Sequence, residues 1–100
     1  MRQILILACA AFISPVCAQE PLPVPELAAG VCAPCHTVDG IGKDVEIPNL
    51  AGQHVIYLYN QLKAFHTGTR KHAEMKIIAR DMSDKEMHAL ADYYASLPQR

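Results

Sequence analysis

Apolar residues recur at three- and four-residue steps in two stretches of the chain. Val55, Leu58, Tyr59, Leu62 and Phe65 fall on one side of a helix predicted over Gln53 to Phe65, and Gly68 is its natural stop. Met87, Leu90, Ala91 and Tyr94 mark the apolar face of a last helix that Pro98 ends. Its start is written in Ser83-Asp84-Lys85-Glu86, a capping box, with Met82 placed as a hydrophobic staple toward Met87. Between these two lies a short segment from Ala73 to about Arg80 that carries Met75, Ile77 and Ile78. Upstream, Pro25 suits the first position of another helix running through Glu26, Leu27, Ala28 and Ala29 toward Cys32, with Glu26 near its positive end. No stretch alternates with period two, and residues 19–100 hold no repeat or low-complexity tract. The pattern predicts an all-α domain of three to five short helices.

The remaining segments are irregular for different reasons. Asp39-Gly40-Ile41-Gly42 is a turn signal, and Ile47-Pro48-Asn49-Leu50-Ala51-Gly52 is a second irregular stretch. A loop of that length in so small a protein usually encloses something. At the other end, Met1-Arg2, the uncharged run from Ile4 to Ile13 and Val16-Cys17-Ala18 have the form of a secretory signal peptide, residues 1–18, cut after Ala18. The run is shorter than the roughly 20 residues a membrane-spanning helix needs. Lipid modification at Cys17 is the rival reading, and Pro15-Val16 before that thiol match it poorly. Pro21, Pro23 and Pro25 then make residues 19–25 an extended lead-in. The domain proper is expected over 26–100, in an exported protein.

Composition narrows the function by exclusion. The formal net charge is -1, and loss of Arg2 with the leader makes it one unit more negative, which argues against nucleic acid as a partner. Arg70-Lys71-His72 is a small basic cluster that reads as a solvated loop or as a guide for a negatively charged redox partner. Cys9 and Cys17 leave with the leader, so Cys32 and Cys35 are the thiols that remain. A chain this small buries little core and needs a staple.

Cys32-Ala33-Pro34-Cys35-His36 supplies one. A C-x-x-C-H pentapeptide is an attachment site for c-type haem. Two thiols on one helical turn can add to the two vinyl groups of one porphyrin, and the adjoining imidazole can reach its iron. Cys-Ala-Pro-Cys alone also fits a thiol-disulfide oxidoreductase, and Cys32, Cys35, His36 and His54 have the atoms of a zinc module. The first normally follows a strand in a βαβ unit, which the pattern lacks, and the spacing does not favour the second. The occupant of the sixth iron position decides between electron transfer and ligand chemistry. Met75, Met82, Met87, His54, His66, His72 and His88 are all present. Met82 and Met87 have packing roles on the last helix, whereas Met75 follows the polar Thr69 to Glu74 segment, on a loop, as either a ligand or a core methionine.

These residues carry a resemblance. Cys32 to His36, Pro48-Asn49-Leu50-Ala51-Gly52-Gln53, Tyr57-Leu58 with Gln61-Leu62, Gly68, Arg70, Met75, Ser83-Asp84 and Leu90-Ala91-Asp92-Tyr93-Tyr94 together resemble a class I cytochrome c, a single domain of the cytochrome c4 and c-553 group. The likeness runs from about Leu27 to Leu97. It implies one haem c held through Cys32 and Cys35, axial ligands His36 and Met75, and a Pro48 carbonyl that accepts a hydrogen bond from the other nitrogen of His36. It further implies a monohaem electron carrier, not an enzyme, passing single electrons between periplasmic or membrane redox partners. The alternative is the cytochrome subunit of a periplasmic dehydrogenase. His54, His66, His72 and His88 match no ligand position and are expected on helix faces or the surface. In two places the chain departs from the family. Pro25 replaces a glycine common where the first helix crosses the last, which leaves the crossing at Tyr93 or Tyr94 open. Thr37 stands where glycine often follows the ligand histidine, a change that leaves attachment untouched.

Overall fold

A computed structural model describes residues 4, 6, 8–14 and 23–100. The cut after Ala18, Cys17 and residues 19–22 of the lead-in lie outside the described residues. Of the apolar run, Ile4, Ile6, Phe12 and Ile13 are exposed and contribute nothing to the core.

The described domain is helical, and no strand occurs among the described residues. A first helical run comprises α1 (Val24–Leu27), a π-helical turn (Ala28–Cys32) and α2 (Ala33–His36). Then follow α3 (Val55–Thr67), α4 (Ala73–Arg80) and α5 (Asp84–Ala95). Pro25 sits at the second helical position rather than the first, since Val24 already belongs to α1. Its missing N–H is one the first turn does not use.

The π turn was not expected, and Pro34 explains it. In a regular α-helix the N–H of residue 34 would bond the Gly30 carbonyl, and proline has none to give. The chain widens by one residue there, and the Ala33 N–H reaches back five positions to the Ala28 carbonyl. The widening lies immediately before and through Cys32, so it sets the direction from which the pentapeptide leaves the helix.

Both long helices end as their residues require. α3 is capped by Gly68 at φ 82°, in the left-handed region that glycine enters freely. It starts at Val55, two residues later than expected, because His54 is extended and Gly52 has φ 69°. In α5 the Ser83 hydroxyl accepts from the Glu86 N–H at 3.1 Å, and a Glu86 carboxylate oxygen accepts from the Ser83 N–H at 3.2 Å. Met82 and Met87 are both buried in the core cluster, completing the staple.

The core lies where α5 meets α3 and α1. Ala28, Leu58, Met82, Met87, Leu90, Ala91 and Tyr94 form one cluster, with Val24, Leu27 and Leu62 packed on it. The crossing left open by Pro25 does form, and Ala28, 2 % exposed, is the small residue within it. Met87 and Leu90 are the large side chains that are fully buried among the described residues, which makes a thin core for a domain of this size.

On the surface, Tyr59 of α3 donates a hydrogen bond of 2.5 Å to Asp84 of α5, and His88 stacks on the Tyr59 ring at 3.8 Å. The bond from Tyr59 holds the Asp84 carboxyl below its ordinary value, and the same bond raises the Tyr59 phenol. A depressed carboxylate stabilises the fold above its unfolded pKa, and that contribution disappears as pH falls through the folded value. A raised phenol stabilises below its unfolded pKa and is lost as pH rises through the folded value. The contact therefore works between about pH 4 and pH 10. Thermal midpoints of Tyr59→Phe and the parent chain should differ most within that window and converge at both extremes.

Candidate haem site

The C-x-x-C-H residues occupy the end of the first helical run. Cys32 closes the π turn and Cys35 and His36 lie on α2. Both thiols are free; Cys35 is exposed and Cys32 half-buried. Burial pushes the Cys32 thiol up, opposed by the Tyr94 hydroxyl.

His36 is 8 % exposed, the buried polar side chain of the core region. Its Nδ1 lies 2.9 Å from the Pro48 carbonyl oxygen, an acceptor, so Nδ1 carries the proton and Nε2 keeps its lone pair. Burial lowers the pKa of the ring more than the Pro48 bond raises it, and the neutral imidazole is favoured. A neutral ring with one nitrogen anchored and the other free is the state a metal ligand needs.

The loop after His36 is shaped to bring Pro48 to that ring. The Lys43 N–H returns to the Cys35 carbonyl at 2.9 Å, and the Leu50 and Ala51 N–H groups both bond the Gly40 carbonyl, at 2.7 and 3.0 Å. The Gly42 N–H donates to the Asn49 side-chain oxygen at 2.8 Å. A Cβ at Gly42 would stand 1.8 Å from the Ile47 carbonyl oxygen, a backbone atom that cannot move alone. Gly42→Ala should push Ile47-Pro48 away from the ring and cost about 3 kcal/mol, the scale of severe overpacking. Thermal melts check it: the variant should melt lower than the parent.

Thr37 turns the chain at the end of α2 with φ 61° and ψ 166°, a region nearly reserved for glycine and costly by about 1–3 kcal/mol for other residues. The change from glycine therefore carries a backbone cost. Part of the cost is offset locally, since the Thr37 hydroxyl donates to the Ile41 carbonyl at 2.8 Å and lies 3.3 Å from the Ile41 N–H.

Met75 is half-buried, and its backbone is in the first turn of α4 rather than on a loop. His72 made the difference: it is the N-cap, and its Nδ1 accepts from the Met75 N–H at 3.4 Å. Histidine is an uncommon cap, so the helix start was hidden in a polar run. His66 also has a task that the sequence did not announce, with Nδ1 2.7 Å from the Ala79 carbonyl, tying α3 to the end of α4. His88 and His54 are exposed.

The donor set fits a covalently attached haem better than its rivals. Two unpaired thiols three positions apart precede a buried imidazole held in the ligating tautomer. The Tyr94 hydroxyl, in the cluster against which Cys32 packs, is buried without a hydrogen-bond partner. Among the described residues no three His, Cys, Asp or Glu side chains converge as a zinc cage would require. The strand a thiol-disulfide oxidoreductase would place before Cys32 is not found among the described residues either.

The cytochrome c family model matches residues 24–98. The chain belongs to the cytochrome c family. Its cytochrome c domain is 40% identical over 70 residues to cytochrome c-554(548) of Halomonas halodenitrificans, covering 67% of this chain and 84% of that protein. It is 44% identical over 72 residues to a thiosulfate dehydrogenase electron acceptor of Stutzerimonas stutzeri, covering 69% of this chain but 33% of the relative. The solved structure of reduced recombinant cytochrome c4 from Pseudomonas stutzeri superposes with a TM-score of 0.70 at 31% identity, over 75% of this chain and 46% of that one. This cytochrome c thus spans between a third and a half of the length of those two longer proteins. The fold is that of a small class I cytochrome c, and the family implies covalently bound haem c and redox proteins as partners.

Proposed function

We propose that this chain is a monohaem, periplasmic carrier of single electrons, with haem c joined to Cys32 and Cys35 and its iron held by His36 and Met75. The observation that carries the reading is the 2.9 Å contact of His36 Nδ1 with the Pro48 carbonyl, beside two free thiols. A single C-x-x-C-H supports the count of one haem. The apolar, uncharged Ile4 to Ile13 run, whose described large residues are exposed, supports a removable leader and export.

When bound, haem c supplies reversible one-electron chemistry. The chain's own residues do the rest. Cys32 and Cys35 would hold the haem covalently through their sulfurs. His36 would offer Nε2 to the iron, and the Pro48 carbonyl would keep the ring from turning. The Met75 thioether would serve as a soft, neutral ligand of the kind that favours the ferrous state. These residues would need only to hold their positions through the change in charge.

A second reading has a specific observation in its favour: two relatives are named thiosulfate dehydrogenase electron acceptor. Under it the chain takes electrons from a catalytic dehydrogenase and stays bound to it. Gentle purification from the native host separates the two. Migration alone through size exclusion, with reduction by an added donor, is expected for the free shuttle, and a constant complex with a flavin- or metal-containing partner would replace it with the subunit reading.

A further inference from the structure

We propose that the Tyr94 hydroxyl donates a hydrogen bond to the sulfur of Cys32 once that sulfur is a thioether, and that this bond raises the redox potential. The proposal rests on attachment at Cys32 as read above.

Tyr94 is 3 % exposed and is held on three sides. Its Cδ1 sits where a Cβ on Gly40, at φ 73°, would come within 3.0 Å. Its carbonyl accepts from the Gly52 N–H at 3.0 Å, and Tyr93 packs edge-on at 5.1 Å between centroids. Ala28, Leu90 and Ala91 of the core cluster close the rest. The hydroxyl at the tip of this fixed ring is buried and has no hydrogen-bond partner. A buried phenol without a partner is expensive, and proteins seldom leave one.

Cys32 packs against the cluster that holds this ring, and its thiol and the Tyr94 phenol perturb one another. In the free chain both groups can donate, and neither is a strong acceptor. Thioether formation removes the sulfur's hydrogen and leaves it an acceptor only. The ambiguity is then gone: the phenol O–H must point at sulfur or stay unsatisfied. Sulfur bonded to the porphyrin edge and polarised by a donor withdraws electron density, which favours the reduced state, just as hydrogen bonds to sulfur do at other iron sites. Tyr94 is a positioning residue acting through Cys32, and it never touches the iron.

The test uses haem-loaded Tyr94→Phe and the parent chain, compared by spectroelectrochemical titration and by proton resonance of the diamagnetic ferrous form. The expected result is unchanged alpha and beta bands with a reduction equilibrium constant about two- to fivefold lower, the scale of one weak hydrogen bond. In the parent, the Tyr94 hydroxyl proton should exchange slowly and show a through-space contact to the Cys32 thioether. An equal potential with intact bands would overturn the proposal. If the variant does not assemble, the absence of that contact in the parent chain overturns it just as well. Failure of the attachment reading is told apart because the Cys32 peptide would then carry no haem mass.

Discussion

Met75→Ala is expected, on the proposed ligation, to open the sixth iron position and let the ferrous form bind carbon monoxide. Without the thioether the ferrous state loses its soft ligand, and the potential should fall by at least about 60 mV, a tenfold change in a one-electron equilibrium. The weak methionine-to-iron band of the oxidised form should vanish, and the ferrous form should take up carbon monoxide. The fold should survive, because the cap of α4 uses the Met75 backbone N–H and His72, not the thioether. Alanine is also the better helix former at that place. Met87→Ala is the control. It removes a side chain 1 % exposed in the core and should cost about 2–5 kcal/mol of stability while leaving the potential in place. A Met75→Ala protein with the parent potential would hand the sixth position to Met82 or to a histidine.

The second large effect belongs to the thiols. Replacing Cys32 and Cys35 together by serine should abolish covalent haem and with it most of the folded population. The fully buried large residues, Met87 and Leu90, leave the helices little to hold them. A core in a chain of this size rarely supplies more than about 3–5 kcal/mol. Circular dichroism should show helix lost and the cooperative melt gone. Either single replacement keeps one thioether and should keep the fold, with a lower melting point. A colourless double variant that melts like the parent would mean the helices do not depend on haem.

What was legible in the sequence was whatever is decided locally. The capping box at Ser83, the Met82–Met87 staple and the Gly68 stop each involve residues within one or two turns, and the structure repeats them. The family and its haem could be read from Cys32 to His36 with the motifs that follow, and the cytochrome c match over residues 24–98 bears that out. The misses share a different cause. The π turn depends on what Pro34 cannot donate to Gly30, the strained φ of Thr37 depends on how the loop must leave α2, and the start of α4 depends on a histidine acting as a cap. In each the backbone geometry is set by a partner or a constraint that residue type alone does not announce. Met75 as sixth ligand came from resemblance, since a half-buried methionine at a helix start looks the same whether it packs or ligates.

The measurement that bears most directly on the central claim is the intact mass of the exported, purified protein, with tryptic mapping of the Cys32–His36 peptide. The expected mass is that of residues 19–100 plus one haem, with the added mass on the peptide carrying Cys32 and Cys35 and retained after acid extraction in organic solvent. A compact, stable protein whose mass equals that of its polypeptide alone would contradict the account.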